Sequence, residues 1–216
     1  MIPREIIARR IAKEFKDGYL INLGIGLPTM AANYIPENTH VMLQSENGCV
    51  GLGSVPKKDE ENKYIVDAGG KSVTITEYGA FFNSSISFAM MRGGHVDLTV
   101  LGAYQVDEEG DIANWSVPGK KLAGMGGAMD LLVGAKRVIV GMEHTNYGSP
   151  KLLKKCTMPI TAANVVNRVI TEMGVFDIKA NGMELIEINT DFSLDDIRAS
   201  TEAEFSVADN LKPMQI

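Results

Sequence analysis

Glu46 is the residue whose type and setting most directly suggest chemistry. It follows a short run of alternating apolar and polar side chains, residues 41–45, which predicts a strand. The dipeptide Asn47-Gly48 comes next and turns the chain sharply, because Asn tolerates and Gly readily adopts positive φ. Glycines at positions 48, 51 and 53 leave room for a ligand or another backbone to approach the carboxylate. The same pattern is also typical of a solvated turn residue.

A second candidate is the glycine-rich stretch at residues 124–127, which precedes a helix-like segment at residues 129–135. A glycine-rich start of a helix collects unpaired backbone N–H groups at the positive end of the helix dipole. Such a site suits an anion or a developing oxyanion. Close packing of the turn against a strand accounts for the same composition equally well, so both interpretations stay open.

The cysteines and histidines are weaker candidates. Cys49 lies three residues after Glu46, but no histidine is nearby in sequence, and a packed, inert thiol is the favoured interpretation. Cys49 and Cys156 form no CxxC pair, so we expect neither a disulfide framework nor a zinc site, and a reducing cytoplasm is the expected compartment. The three histidines lack metal-ligand spacing, and we expect no bound metal.

Gly24 and Gly26 follow the first predicted strand directly, in the run Gly24-Ile25-Gly26-Leu27-Pro28-Thr29. A strand that runs into GxG is part of a dinucleotide fingerprint, but Thr29 occupies the third glycine position and Pro28 changes the turn. The run therefore indicates a tight strand-to-helix turn rather than a dinucleotide site.

Strand and helix patterns alternate along the chain. Helices are predicted at residues 2–15, 29–34, 81–91, 129–135 and 162–173, with a last helix opened by the capping pair Ser193 and Asp196. Strands are predicted at residues 19–23, 41–45, 72–76, 96–106, 112–117, 137–142 and 183–188.

This alternation predicts an α/β fold with an open, largely parallel sheet flanked by helices, built as a single domain from residues 1–216. Sheets of this type bind ligands at the carboxyl ends of their strands. Glu46 and the glycine stretch at residues 124–127 are both expected at such strand ends or at helix starts.

The composition limits the classes of function. Apolar residues make up 45% and charged residues 22%, which is ordinary for a globular chain. The 21 Lys and Arg and 27 Asp and Glu give a net charge of −6, and the basic residues are dispersed or paired, so no nucleic-acid partner is expected. The pair Lys120-Lys121 is interpreted as solvated surface, with a nearby phosphate as the alternative. Charges interrupt the apolar N-terminus and no apolar run reaches the length of a membrane span, so neither a signal peptide nor a membrane partner is expected.

The motif Ser45-Glu46-Asn47-Gly48, with Leu43-Gln44 before it and Cys49-Val50-Gly51 after it, resembles the active-site signature of the family I coenzyme A transferases, in their β subunit or second half. Other segments resemble family segments in the same order over nearly the whole chain, at residues 22–29, 88–90, 92–96, 113–115, 124–130, 142–144 and 201–205. The resemblance implies a CoA-transferase fold, which is similar to that of ribose-5-phosphate isomerase.

The resemblance also implies a ping-pong transfer of coenzyme A between two carboxylates. Glu46 would attack the acyl-CoA carbonyl, and the departing thiolate would return to the glutamyl carbonyl to form an enzyme–CoA thioester. Anhydride and thioester are close in reactivity, so no cofactor, ATP or metal is needed beyond the CoA thioester that serves as substrate.

Further site residues come from the same resemblance. The backbone N–H of Gly127, the second glycine of the Gly126-Gly127 pair, would stabilise the oxyanion. Asn22 matches a family position near the bound CoA, and Gly24 and Gly26 would shape the same pocket. These assignments agree with the interpretation of the glycine-rich stretch as a donor site.

The resemblance implies a partner as well. The α half of the family carries its own glycine-rich CoA-binding signature, which is not found here, so we expect a separate α subunit in an α2β2 assembly. Two positions depart from the family pattern: Ser54-Val55-Pro56 after the signature, and Gly70, where succinate-using relatives have a lysine near the CoA. The second departure favours acetate or butyrate with acetoacetate over succinate.

Two other functions remain open. A CoA thioester hydrolase on the same scaffold would let water intercept the glutamyl thioester. A non-catalytic ligand-sensing domain would share the fold but would have no need of a carboxylate at Glu46.

Overall fold

The computed structural model describes residues 1–120 and 124–216, so Lys121 of the predicted surface pair lies outside the described residues. The helices within these ranges are α1 (Pro3–Ala12), a 3₁₀ helix (Pro28–Tyr34), α2 (Ser84–Arg92), α3 (Ala128–Gly134) and α4 (Leu194–Ser200). The strands are β1 (Leu20–Leu23), β2 (Met42–Ser45), β3 (Cys49–Leu52), β4 (Ile75–Phe81), β5 (Leu98–Leu101), β6 (Gln105–Asp107), β7 (Ile112–Ala113), β8 (Val138–Gly141), β9 (Thr145–Asn146), β10 (Ser149–Pro150), β11 (Leu152–Leu153), β12 (Arg168–Ile170), β13 (Gly174–Lys179), β14 (Gly182–Ile188) and β15 (Phe205–Pro213).

Within the described residues, one ten-stranded open sheet has the order β15-β14-β13-β12-β8-β5-β1-β2-β3-β4. Its five central strands, from β12 to β2, run parallel. Antiparallel strands extend it on both sides, and only the outermost β15 is again parallel to its neighbour. The prediction of an α/β fold with an open, largely parallel sheet is confirmed.

The central strands send alternate side chains into two apolar clusters, as the pleat of a strand requires. In β5, Leu98 and Val100 pack with residues of α1 and the 3₁₀ helix, whereas Leu101 packs with residues of α2 and α3. Strands covered on both faces appear in the sequence as continuous apolar runs, as in β8. None of the helices in the described ranges is long and apolar enough to cross a bilayer.

A buried ion network joins α1 to the far part of the sheet. Arg10 is only 4% exposed and donates two hydrogen bonds to the carboxylate of Glu187, at 2.7 and 2.8 Å. It also donates to Glu14 at 2.7 Å. Burial alone would raise the pKa of Glu14, but the guanidinium groups of Arg168, Arg10 and Arg137 lower it. The charges are thus paired within the core.

The predicted helix at residues 162–173 is wrong. The segment forms irregular backbone and then β12, which pairs in parallel with β8. The N–H groups of Val165 and Val166 donate to the carbonyl of Gly110, and Asn164 adopts a positive φ of 54°. β-branched residues lose side-chain freedom in a helix, so the valines and isoleucine of this segment favour the extended partner that the sheet supplies.

Other predicted boundaries shift. The strand predicted at residues 72–76 begins only at Ile75 and continues to Phe81, so α2 starts later than predicted, at Ser84. Asn83 caps α2 by accepting a hydrogen bond from the N–H of Ile86 at 3.0 Å. The strand predicted at residues 96–106 is interrupted after β5, and of residues 112–117 only the first two form a strand. The capping box of Ser193 and Asp196 is present as predicted.

Candidate active site

Glu46 lies on a three-residue loop at the carboxyl end of β2. The loop joins β2 to β3, with Ser45 paired to Cys49. The N–H of Gly48 donates to the carbonyl of Ser45 at 3.1 Å and closes the turn. Gly48 has a φ of +128°, and a β-carbon there would lie 2.3 Å from the carbonyl oxygen of Phe82. The position therefore requires glycine, and the turn holds Glu46 at the end of a central strand.

Two hydrogen bonds tie this loop to the neighbouring turn at residues 66–72. The side-chain amide of Asn47 donates to the carbonyl of Val66 at 2.9 Å. The hydroxyl of Ser45 accepts from the N–H of Ala68 at 3.1 Å. The residues on either side of Glu46 are thus anchored, which restricts the carboxylate to the side-chain torsions of Glu46 itself.

Gly127 lies directly against the side chain of Glu46. A β-carbon on Gly127 would stand 3.0 Å from Cγ and 3.5 Å from Cβ of Glu46. Within the described residues, the N–H of Gly127 donates to no protein acceptor. Gly127 precedes α3, which has only seven residues. The feature that matters here is therefore a main chain with an unused N–H, packed against the Glu46 side chain, rather than a long helix dipole.

A cavity of about 600 Å³ contains this pair. Its lining comes from the carboxyl ends of β1, β2 and β5, from the turn at residues 66–72 and from the start of α3; among the lining residues are Asn22, Gly24, Ile25, Glu46, Ala68, Tyr104, Asn114, Gly126 and Gly127. The structure thus brings together five of the six residues predicted from the sequence.

Gly26 is the sixth, and it lies apart. It lines a second, more apolar cavity of about 610 Å³, which lies between the 3₁₀ helix and the turn at residues 66–72. Leu23, Ile25 and Ala68 line both cavities. The expectation that Gly24 and Gly26 shape one pocket therefore has to be corrected, because they line two adjoining spaces.

Asn22 is the first member of a buried chain of polar groups. Its Nδ2 donates to the side-chain oxygen of Gln44 at 2.6 Å and to the Gln44 carbonyl at 3.2 Å. The Nε2 of Gln44 donates in turn to the hydroxyl of Ser87 on α2, at 3.1 Å. Because both N–H groups of Asn22 are used, its Oδ1 is the atom left for a ligand; it accepts no hydrogen bond from the described residues.

The cysteines fit the interpretation of inert thiols. Cys49 is 4% exposed, and burial together with the charge of Glu46 raises the pKa of its thiol, which disfavours the nucleophilic thiolate. Burial also raises the pKa of Cys156, to about 12. Both cysteines are free.

His144 lies at the carboxyl end of β8 but belongs to the core. Its Nδ1 and Nε2 lie 3.0 and 2.9 Å from the hydroxyls of Thr171 and Thr201. Burial, with a smaller contribution from the charge of Lys151, lowers the pKa of His144 to about 4. In the described part of the chain, no group of three or more His, Cys, Asp and Glu side chains is arranged to hold a metal ion.

Some residues at the site received no role from the sequence. Tyr104 and Asn114 line the cavity because the chain leaves the large sheet after β5: Tyr104 directly precedes β6 and Asn114 directly follows β7, and these two strands pair with each other outside that sheet. Asn114 is held by a hydrogen bond from its Nδ2 to the carbonyl of Gly102 at 3.2 Å and by the hydroxyl of Thr161, which donates to its Oδ1 at 2.7 Å. A polar side chain next to an apolar strand was the available signal for Asn114; Tyr104 had none.

The Glu46 carboxylate and the Gly127 main chain thus lie at the carboxyl edge of the parallel strands, which is where sheets of this type bind ligands. Comparison with known protein families matches residues 4–200 to the family "Coenzyme A transferase". The chain belongs to the coenzyme A transferase family.

The curated relatives are of two lengths. The acetate CoA-transferase subunit beta of Haemophilus influenzae is 52% identical over 217 residues, covering 100% of this chain and 97% of the relative. The corresponding subunit of Escherichia coli K12 is 50% identical over 212 residues and is also covered to 97%. The mouse mitochondrial succinyl-CoA:3-ketoacid coenzyme A transferase 2B is 52% identical as well, but this chain covers only 41% of it. The prediction of a CoA-transferase of the β-subunit type is confirmed.

Solved structures show the same fold. The acyl-CoA transferase YdiF of Escherichia coli O157:H7 superposes with a TM-score of 0.80 at 23% identity, covering 99% of this chain and 43% of that one. Glutaconate coenzyme A-transferase of Acidaminococcus fermentans gives 0.73 at 16% identity, covering 100% and 89%. The decarboxylase AibA/AibB gives 0.71 at 22% identity, covering 100% and 89%. One fold therefore serves more than one reaction, and the mechanism has to be argued from the site.

Proposed function

We propose that this chain carries the nucleophile of a short-chain CoA-transferase and that Glu46 is that nucleophile. One observation supports the proposal above the others: the Glu46 carboxylate is fixed on a glycine turn with the Gly127 backbone against its stem, inside a 600 Å³ cavity. A solvated turn residue would need neither a cavity nor a second main chain packed against its side chain.

The first half-reaction, from acyl-CoA to the enzyme–CoA thioester, consists of two successive substitutions at carbonyl carbons. A carboxylate oxygen of Glu46 adds to the acyl-CoA carbonyl carbon, the C–S bond breaks, and the CoA thiolate leaves an acyl-glutamyl anhydride. The thiolate then adds to the glutamyl carbonyl, and the first carboxylic acid leaves as its carboxylate. The enzyme–CoA thioester remains, and a second carboxylate reverses the sequence.

The oxyanion of each tetrahedral intermediate needs a donor that does not have to reorganise. The main chain of Gly127 packs against the side chain of Glu46, and its N–H has no protein acceptor within the described residues, so we propose this N–H as the donor. Removal of one such donor typically costs roughly 3 kcal/mol of transition-state stabilisation. The cavity shields part of the Glu46 carboxylate, which is a weak nucleophile when fully hydrated.

Asn22 and the glycines are proposed to bind the CoA portion of the substrate. The free Oδ1 of Asn22 is an acceptor in the cavity and suits an amide N–H such as those in the pantetheine arm. Gly24 lies so close to Leu101 and to the carbonyl of Val100 that a β-carbon would clash, at 2.8 and 3.2 Å. Glycine at position 24 therefore keeps the end of β1 free of a side chain, and the space is left for the ligand.

The choice of acids is the finer part of the proposal. Gly70 has no lysine side chain, which favours acetate or butyrate with acetoacetate over succinate. However, Lys71 follows directly and lines the second cavity, so a cation is still present on this turn. The relatives named for acetate and for succinyl-CoA with a 3-ketoacid are both 52% identical. Transfer rates from acetoacetyl-CoA to acetate, butyrate and succinate as acceptor acids would decide which acid the enzyme prefers.

A separate α subunit completes the proposed enzyme. The full-length relatives are named as β or B subunits, and the mouse enzyme is a single chain of which this sequence matches 41%. We propose an α2β2 assembly. If this chain alone catalysed transfer at full rate, the need for an α subunit would be refuted.

Intact-mass analysis tests the mechanism. The αβ complex is incubated with acyl-CoA alone, and an adduct with the mass of CoA is expected on this chain. Glu46→Gln should abolish the adduct, and Glu46→Asp should lose most activity because the carboxylate retreats by one methylene. Absence of an adduct from the wild-type chain under turnover conditions would refute the proposal. Release of free CoA at the same rate with and without an acceptor acid would identify a thioester hydrolase instead.

A further inference from the structure

Helix α2 contacts both halves of the proposed site. Ser87 is fully buried, and its hydroxyl accepts a hydrogen bond from Gln44, which lies two residues before Glu46 on β2. The next residue, Phe88, reaches the other half. Its ring carbon Cζ lies 3.6 Å from the point that a β-carbon of Gly127 would occupy.

Phe88 and Glu46 therefore bound the same face of Gly127. The aliphatic stem of Glu46 lies 3.0 Å from that point and the tip of the Phe88 ring 3.6 Å from it. Phe88 is half-buried, and its ring packs on the larger apolar cluster. It is absent from the lining of the 600 Å³ cavity, so it acts on the site through its neighbours rather than by touching a ligand.

Two further contacts hold α2 against α3. Arg92 places its guanidinium over the Phe88 ring, 5.6 Å from the centroid, and donates to Asp130 in the first turn of α3 at 2.6 Å. Since Arg92 is largely exposed, this ion pair adds little stability. The backbones also meet, because a β-carbon on Gly134 would lie 2.1 Å from the carbonyl oxygen of Met91. These two contacts fix α2 relative to α3, and with it Phe88 relative to Gly127, which directly precedes α3.

We propose that Phe88 is a positioning residue that sets the spacing between Glu46 and Gly127 and keeps water away from the glutamyl thioester. The inference rests on the proposed function, because it assigns Phe88 a role toward that intermediate. A truncated side chain would leave a space beside Gly127, next to polar groups that can hold a water molecule. The same truncation would let the Gly127 turn move relative to the nucleophile.

The chemical consequence is a leak from transfer to hydrolysis. A water oxygen adds to the glutamyl carbonyl carbon, the C–S bond breaks, and CoA leaves as a thiolate. The Glu46 carboxylate is regenerated, and of the two protons that the water gives up, one is taken by the thiolate and one is released to solvent. A role in packing alone would lower the amount of folded enzyme without changing the ratio of hydrolysis to transfer.

The experiment compares Phe88→Ala and Phe88→Leu with Met91→Ala in the αβ complex. Met91 is a matched control because it is fully buried on the same helix and packs in the same cluster, but it is not among the atoms near Gly127 and Glu46. The measurements are kcat and KM for transfer, free CoA release without acceptor acid, and decay of the CoA adduct by intact mass.

Phe88→Ala is expected to lower kcat about 10- to 100-fold with little change in KM, since a misplacement of about 1 Å can cost about 100-fold. Its ratio of hydrolysis to transfer should rise at least about 10-fold, with a smaller rise for Phe88→Leu and none for Met91→Ala. If Phe88→Ala does not fold, the ratio of hydrolysis to transfer in Phe88→Leu decides whether the assignment holds. An unchanged ratio in the folded Phe88 variants, or an equal rise in Met91→Ala, would overturn the assignment. A wild-type chain that forms no adduct would instead refute the proposed function.

Discussion

Gly127 packs its main chain against the side chain of Glu46, at a distance that leaves no room for a methyl group. A β-carbon there would stand 3.0 Å from Cγ of Glu46, closer than ordinary van der Waals contact. The contact joins two segments that are 81 positions apart in the sequence, and it gives the glycine a role beyond backbone conformation.

Gly127→Ala should impair the reaction without unfolding the protein. The φ of −83° suits alanine, so the backbone need not change, but Glu46 must shift by a few tenths of an ångström. We expect kcat for transfer to fall about 10-fold, since a full 1 Å misplacement costs about 100-fold. Steady-state kinetics with thermal unfolding as the control measure this, and wild-type kcat in a folded variant would contradict the role of the contact.

Gly48→Ala should destabilise the fold itself. The position combines a φ of +128° with a β-carbon site 2.3 Å from the Phe82 carbonyl, so strain and collision add. We expect a loss of about 3 kcal/mol or more in the free energy of unfolding.

Gly18→Ala is the matched control for that loss. Gly18 has a φ of +78° with nothing within 4 Å of a β-carbon, so conformational strain alone applies, about 1–2 kcal/mol. Denaturant unfolding of the two variants separates strain from collision. Equal losses would show that the loop of Glu46 relaxes around the added methyl group.

The buried His144 should make stability fall on mild acidification. Above its ordinary pKa of 6.5, the imidazole is neutral in both the folded and the unfolded state. As the pH falls from 6.5 to about 4, the unfolded chain binds a proton that the folded chain does not, so the free energy of unfolding decreases. The expected total is about 3 kcal/mol.

The difference between the wild type and His144→Gln isolates this effect. Glutamine keeps a donor and an acceptor for the hydroxyls of Thr171 and Thr201 but does not titrate. Thermal unfolding of both proteins is followed from neutral pH down to the acid limit. Parallel pH profiles would show that His144 is protonated in the folded state as readily as in the unfolded one.

Glu187→Gln should cost much more stability than a charge removal at the surface. It leaves the buried guanidinium of Arg10 with only Glu14, and breaking a buried pair typically costs about 3–5 kcal/mol. Glu204→Gln removes the partner of Lys154 in an exposed pair and should change stability little. Denaturant unfolding of both variants provides the comparison, and similar losses would show that water already screens the Arg10 site.

Much of the fold could be predicted because the central strands are covered on both faces. β1, β5 and β8 appear as apolar runs, and the glycine turns after β1 and β2 mark strand ends. The prediction of a helix at residues 162–173 was wrong because the deciding contact is not local: β12 forms by pairing with β8. The spacing of apolar residues along the chain does not reveal which distant strand is available for pairing.

The residues of the candidate site likewise fall into those that the sequence could predict and those that it could not. Glu46 and Gly127 could be found from turn chemistry and from the family resemblance. Phe88 belongs to a segment that resembles the family, but its role could not be predicted, because its place at the site depends on how α2 packs against α3, and a phenylalanine at helical spacing is typical of any core. Gln44 was hidden likewise, since its buried amide has a partner only after β1, β2 and α2 have assembled.

The bond between Arg10 and Glu187 also bears on the order of events during synthesis. During synthesis, the carboxylate that pairs with Arg10 is made 177 positions after Arg10 itself. Until then the guanidinium has only Glu14 of these two partners, and burying it without the Glu187 carboxylate is costly. We expect α1 to dock on the sheet only after β14 has been synthesised, so that ribosome-bound chains truncated before Glu187 expose the apolar face of α1 to chaperones.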